Sequence, residues 1–128
     1  MKSKPRVGTI AWTDLTVPDA ATLRDFYAKV VGWHHEPVDM GGYDDFTMLP
    51  SPDGEPIAGV CNARGPNADL PPQWLNYIVV ADLDESVRVC RSLGGSVIVG
   101  PKAMNADSRY CVIRDPAGAV VALFATIG

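Results

Sequence analysis

Apolar residues along this chain follow two rhythms, one helical and one extended. Leu23, Phe26, Tyr27, Val30 and Val31 stand at i, i+3, i+4, i+7 and i+8, the spacing that gathers side chains on one stripe of an α-helix. The pattern predicts a helix with Asp19 as N-cap, Gly32 as stop, and all five apolar residues turned inward. A second helix is predicted from about Leu83, capped by Asp84, with Val87, Cys90 and Leu93 inward and Gly94 and Gly95 ending it. Shorter stretches rich in β-branched and aromatic residues read as strands. Residues 7–17 and 74–80 precede the helices; 33–39, 43–49 and 57–62 follow the first, and 96–99, 108–114 and 119–125 follow the second.

These two runs of elements are degenerate copies of each other. A shift of 63 residues lays Val17, Asp19, Val30 and Gly32 on Val80, Asp82, Leu93 and Gly95. A shift of 64 lays the turn from Ser51 to Gly54 on the turn from Asp115 to Gly118. One β-α-β-β-β unit therefore recurs, at about residues 6–63 and 73–128, across a connection rich in proline, glycine and asparagine at residues 63–72. The expected fold is α+β: two tandem βαβββ modules making a single domain over residues 1–128, each helix covering one face of its own four-stranded sheet. The opposite faces are left to line a cleft.

Composition narrows the function classes. The 128 residues, 47% of them hydrophobic, suffice for one buried core. Eleven basic against fifteen acidic residues leave a net charge of -4, so no basic field exists to hold nucleic acid or an anionic bilayer. No apolar run approaches the roughly 20 residues of a membrane span, and residues 1–6 lack the apolar stretch of a leader, which predicts a cytoplasmic protein. Cys61, Cys90 and Cys111 are odd in number and without a C-x-x-C pair; they read as small buried apolar groups.

Four pieces in order carry a resemblance: the run from Leu15 to Asp19, the pair Phe26 and Tyr27, the run from Val31 to Trp33, and the turn from Asp115 to Gly118. Together they resemble the vicinal oxygen chelate superfamily of glyoxalases, bleomycin-resistance proteins and extradiol dioxygenases, over nearly the whole chain. The resemblance implies a glyoxalase-like cleft and a homodimer. Metal-dependent members hold a divalent ion there with His, Glu or Gln from the first and last strands of both modules. The corresponding positions here are Trp12, Ala58, Leu75 and Ala122, and none offers a lone pair to a hard cation. The sequence thus predicts neither metal nor other cofactor.

Alternation along the strands puts Ala11, Leu15 and Val17 toward the helix. It leaves Trp12, Asp14, Ala58, Val60, Leu75, Tyr77, Ala122 and Phe124 as the ligand-binding set, with Ile10 beside them. Trp12, Tyr77 and Phe124 suit stacking on a ring. Asp14 is the charged exception on an apolar face, placed to anchor an amine or hydroxyl with Tyr77 as second donor. His34 and His35 are strand neighbours whose side chains diverge, and Lys102, Arg109 and Arg114 read as solvated charges. No nucleophile constellation emerges, so catalytic residues stay unassigned. The expected function is metal-free binding of a small, flat or aromatic molecule, with no nucleic acid and no membrane as partner. The alternative is a lyase, isomerase or dioxygenase of the superfamily that either uses Asp14 and Tyr77 for proton transfer or recruits a metal through other ligands, and a third reading is a structural or interaction domain.

Overall fold

A computed structural model describes residues 5–65 and 68–127. Residues 1–4, part of the stretch tested for a leader, lie outside the described residues, as do Pro66 and Asn67 in the connection. The elements are β1 (Ile10–Val17), α1 (Ala20–Val31), β2 (His34–Asp39), β3 (Asp44–Leu49), β4 (Ala58–Asn62), β5 (Trp74–Val79), α2 (Leu83–Ser92), β6 (Ser96–Asn105), β7 (Ser108–Arg114) and β8 (Val120–Thr126). The fold is α+β. Two compact units divide it: a first of Trp12–Trp74 and a second of Met1–Ala11 with Leu75–Gly128.

In the first unit the strands run β2-β3-β4-β1, with β1 parallel to β4 and the other pairs antiparallel. Asp19 caps α1: its carboxylate accepts from the Thr22 backbone N–H at 3.2 Å and from Thr22 Oγ1 at 2.7 Å. Those bonds, the hydroxyl's first, hold the Asp19 carboxyl below its usual range. Gly32 closes the helix in the left-handed region at φ 78°, a conformation that glycine adopts without a Cβ penalty. Leu15, Val17, Phe46, Met48, Ala58 and Val60 lie beneath α1 and pack with its own Ala20, joined by half-buried Leu23, Tyr27, Trp33 and Trp74. The Trp74 indole N–H donates to the Tyr27 hydroxyl at 3.2 Å.

The five-residue stripe expected to face inward is split. Leu23 and Tyr27 pack on the core, whereas Phe26, Val30 and Val31 are 51%, 61% and 53% exposed. The inward line is centred on Ala20, Leu23 and Tyr27, and the other three lie one face round the helix. Arg24 takes part of the space, its guanidinium 4.5 Å from the centre of the Phe46 ring, with its aliphatic stem covering apolar surface.

In the second unit the order is β5-β8-β7-β6, with β5 parallel to β8 and the rest antiparallel. Leu83 and Val87 of α2 pack on Cys111, Leu123 and Ala125, with Ile78, Val80, Val97 and Ile113 around them. Asp82 caps α2, accepting from the Glu85 N–H at 3.1 Å. The expected cap, Asp84, sits inside the first turn and pairs with Arg109 instead. Leu93, expected inward, is 71% exposed because α2 stops at Ser92 and the chain leaves helical geometry there. β6 runs to Asn105, well past the expected Val99, because it follows β7 through three register shifts.

Candidate binding faces

The register of β1 and β4 decides which residues share a face. Asp14 pairs with Gly59, Leu15 with Val60 and Thr16 with Cys61, and paired residues point the same way. Leu15, Val60 and Phe46 therefore form one row under α1, and Ile78, Leu123 and Cys111 form the matching row under α2.

This corrects two expected site residues. Counting from the turn predicts Ala58 and Val60 on the face away from the helix; both are buried under α1, Ala58 beside Met48 and Val60 beside Leu15 and Phe46. The cause is hairpin length. Thirteen residues separate Phe46 from its partner Val60, but eleven separate Cys111 from Leu123. The first hairpin carries one extra residue on each arm, so counting from the turn lands one position off in β4, and a one-residue slip exchanges the faces. The true counterpart of Ala122 is Gly59.

The face of the first unit turned from α1 thus carries Trp12, Asp14 and Thr16 from β1, Gly59 and Cys61 from β4, and Asp45 and Thr47 from β3. A Cβ at Gly59 would lie 3.1 Å from Asp14 Cβ, 3.6 Å from Cys61 Sγ and 3.7 Å from Trp12 Nε1. Three chemically different groups converge on bare backbone. At one margin Asp45 accepts from the Asn62 backbone N–H at 2.9 Å and from Asn62 Nδ2 at 3.0 Å. Asn62 Nδ2 also donates to the Asp44 carbonyl at 2.7 Å, and Asn62 Oδ1 accepts from the Ala20 N–H at 3.3 Å. One amide side chain ties β3, β4 and the start of α1.

Burial, then the charges of Asp14 and Asp45 and a bond to Asp45, push the Cys61 thiol far above its ordinary range. It stays protonated, a donor and no nucleophile. Burial also raises Cys111, to about 11. Two results follow. At pH 8 Ellman's reagent is expected to label Cys61 and Cys111 slowly in the native protein and all three thiols at once after denaturation. The Cys111 thiol ionises near 9.0 when unfolded and about 11 when folded, so its contribution is intact below pH 9 and declines as pH rises through 11. Urea melts of wild type and Cys111→Ala compared across that window check it, the variant lacking this part of the decline.

In the second unit the face turned from α2 holds Leu75, Tyr77, Ala122 and Phe124, as the alternation predicts, together with Val79, Tyr110 and Val112. The Tyr77 and Tyr110 rings stand 6.4 Å apart at 48°. This surface is apolar with two phenols. Three of the remaining candidates are engaged elsewhere. His34 is exposed, His35 sets its ring 6.1 Å from Phe46, Arg109 forks onto Asp84 at 3.2 and 3.3 Å, and Arg114 donates to the Gly118 carbonyl at 3.2 Å.

The positions to which the resemblance assigns metal ligands are Trp12 and Gly59 in the first unit and Leu75 and Ala122 in the second. An indole, a hydrogen, an isobutyl and a methyl do not fit a divalent cation. Among the described residues no group of three or more His, Cys, Asp or Glu side chains is placed to hold one.

Comparison with known proteins agrees with this architecture. A family model, the Glyoxalase/Bleomycin resistance protein/Dioxygenase superfamily, matches residues 9–123, and the chain belongs to that superfamily. Among its relatives, the anthracycline biosynthesis protein DnrV of Streptomyces peucetius is 33% identical over 129 residues, covering 91% of this chain and 46% of DnrV. CFP32 of Mycobacterium tuberculosis (strain CDC 1551 / Oshkosh) is 30% identical over 124 residues, covering 96% and 48%. The chain spans about half the length of these relatives. In fold it is similar to methylmalonyl-CoA epimerases. One matches with a TM-score of 0.57 at 16% identity over 95% of this chain and 98% of that one. The Mycobacterium tuberculosis enzyme matches at 0.54 and 19% over 100% and 94%.

Proposed function

We propose that the chain is a metal-free binding protein of its superfamily for a flat, aromatic small molecule. The observation that carries this reading is the chemistry of Trp12, Gly59, Leu75 and Ala122, where no side chain can hold a cation. Trp12 with Asp14, and Leu75, Tyr77, Ala122 and Phe124, are the ligand-facing residues: aromatic surface for stacking and a carboxylate for a donor. Ala58 and Val60 leave the set, since they pack under α1. The anthracycline biosynthesis role in the name of DnrV supports a polycyclic ligand.

Metal analysis of protein purified without chelator, followed by titration with nickel, zinc, manganese and iron, is expected to find no stoichiometric site. A thermal-shift series with planar aromatic compounds is expected to raise the midpoint, because a ligand that prefers the folded state stabilises it by mass action. Stoichiometric metal, or no shift with any such compound, overturns the reading.

A further inference from the structure

Three apolar side chains stand together on the outer side of α1. Phe26, Val30 and Val31 are 51%, 61% and 53% exposed, and Phe26 and Val30, four residues apart, are neighbours on the helix surface. Exposed apolar residues scattered singly are ordinary, whereas a contiguous group on one face marks a contact surface. The outer side of α2 differs. Asp84, Glu85, Arg88 and Arg91 are exposed there, with Arg88 paired to Glu85 and Arg109 to Asp84, and the one large apolar residue exposed within that helix is Val89 at 37%.

The charges beside the patch point to what covers it. Asp25 and Lys29, both exposed and also four residues apart, run alongside Phe26 and Val30, the negative charge nearer the start of α1 and the positive one nearer its end. An identical helix laid parallel would set Asp25 against Asp25 and Lys29 against Lys29. Laid antiparallel about a two-fold axis, it sets Phe26 against the partner's Val30 and Asp25 within reach of the partner's Lys29, each contact being made twice. The pattern is self-complementary in that orientation alone. Arg24 already holds both oxygens of Asp25, at 2.9 and 3.2 Å, so the contact with the partner's Lys29 is a charge pair at the rim, which fixes orientation more than affinity.

We propose that the outer face of α1 is a self-association surface on which a second copy of this chain packs antiparallel, Phe26 against the partner's Val30 and Asp25 opposite the partner's Lys29. This goes beyond the binding function proposed above and does not depend on it, since the patch lies across the sheet from the face that carries Trp12 and Asp14. Twelve residues of helix offer less than the roughly 800 Å² per partner of a tight interface, so the dimer is expected to dissociate in the micromolar range.

Sedimentation equilibrium of the full chain, from low micromolar to near-millimolar concentration, tests the proposal, with circular dichroism as a check on folding. Wild type is expected to pass from monomer to dimer across that range. Asp25→Lys and Lys29→Asp are each expected to weaken self-association about tenfold, because each sets like charges against one another at both contacts. Mixing the two variants restores both opposite pairs, and the mixed dimer is expected to form as readily as the wild-type one. Phe26→Asp is expected to abolish the dimer. Leu93→Asp, which alters a residue 71% exposed beyond the end of α2, is expected to leave it unchanged. A wild-type chain that stays monomeric throughout, or a dimer that survives Phe26→Asp, overturns the proposal. Charge variants that associate no better mixed than alone overturn the antiparallel pairing. None of these results bears on the proposed ligand binding.

Discussion

Asn62→Asp is expected to destabilise the fold by about 2–4 kcal/mol at neutral pH and to recover much of that loss below about pH 5. The native amide sits where only a donor is tolerated. Its Nδ2 lies 3.0 Å from the Asp45 carboxylate and 2.7 Å from the Asp44 carbonyl, while its Oδ1 accepts from the Ala20 N–H. An aspartate is nearly isosteric, so packing is preserved and electrostatics alone are altered. The second carboxylate oxygen would face two acceptors, one of them charged, and the pair could be satisfied only by sharing a proton. The new carboxyl then has a raised pKa in the folded state. Its penalty is absent below the unfolded value and grows as pH rises through the folded one. Urea denaturation of wild type and variant at pH 4.5 and pH 7 measures this; equal losses at the two pH values would refute the account. Because Asp45 also bonds the Cys61 thiol, the variant should change the rate at which Ellman's reagent labels Cys61.

Met48→Ala is the other large effect, about 2–5 kcal/mol of lost stability. Met48 is 0% exposed, pairs with Ala58 and sits in the cluster beneath α1. Removing its side chain leaves a void that the small neighbour Ala58 cannot fill, so the transfer and cavity costs add. Met48→Leu keeps most of the volume and is expected to cost less than about 1.5 kcal/mol. Thermal or urea melts of both variants test the pair, and a fall of similar size in each would point to shape at this position instead of lost volume.

Much of the fold was legible in the chain because its signals are local. Glycine at the end of α1, aspartate ahead of it and β-branched runs around both helices depend on near neighbours, and they located all ten elements. The misplacements were those in which neighbours compete. Asp82 and Asp84 are both acceptable caps, and the choice fell to the residue whose carboxylate reaches the Glu85 N–H while Asp84 found Arg109 across the unit. Phe26, Val30 and Val31 share a helical period with Leu23 and Tyr27, but the helix has one buried face, and its rotation was set by Ala20 close against the sheet.

Which residues of β1 and β5 face their helices was legible from alternation alone, since Leu15, Val17, Ile78 and Val80 mark that parity. The face of β4 was not. Its parity was counted from the hairpin turn, and the one extra residue on the β4 arm turns Gly59 and Cys61 to the face expected for Ala58 and Val60. The signal that could have found them was the alternation within β4 itself: Ala58 and Val60 are the apolar pair, matching Met48 and Phe46 on β3.

The order of amino acids by itself determined the superfamily, the type and sequence of the elements, and the absence of metal-binding side chains at Trp12, Leu75 and Ala122, because each depends on residue identity or short-range pattern. Only the tertiary structure decided which face of β4 and which side of α1 meet the core. Those choices turn on strand register and helix rotation, and both are settled by contacts between residues far apart in the chain.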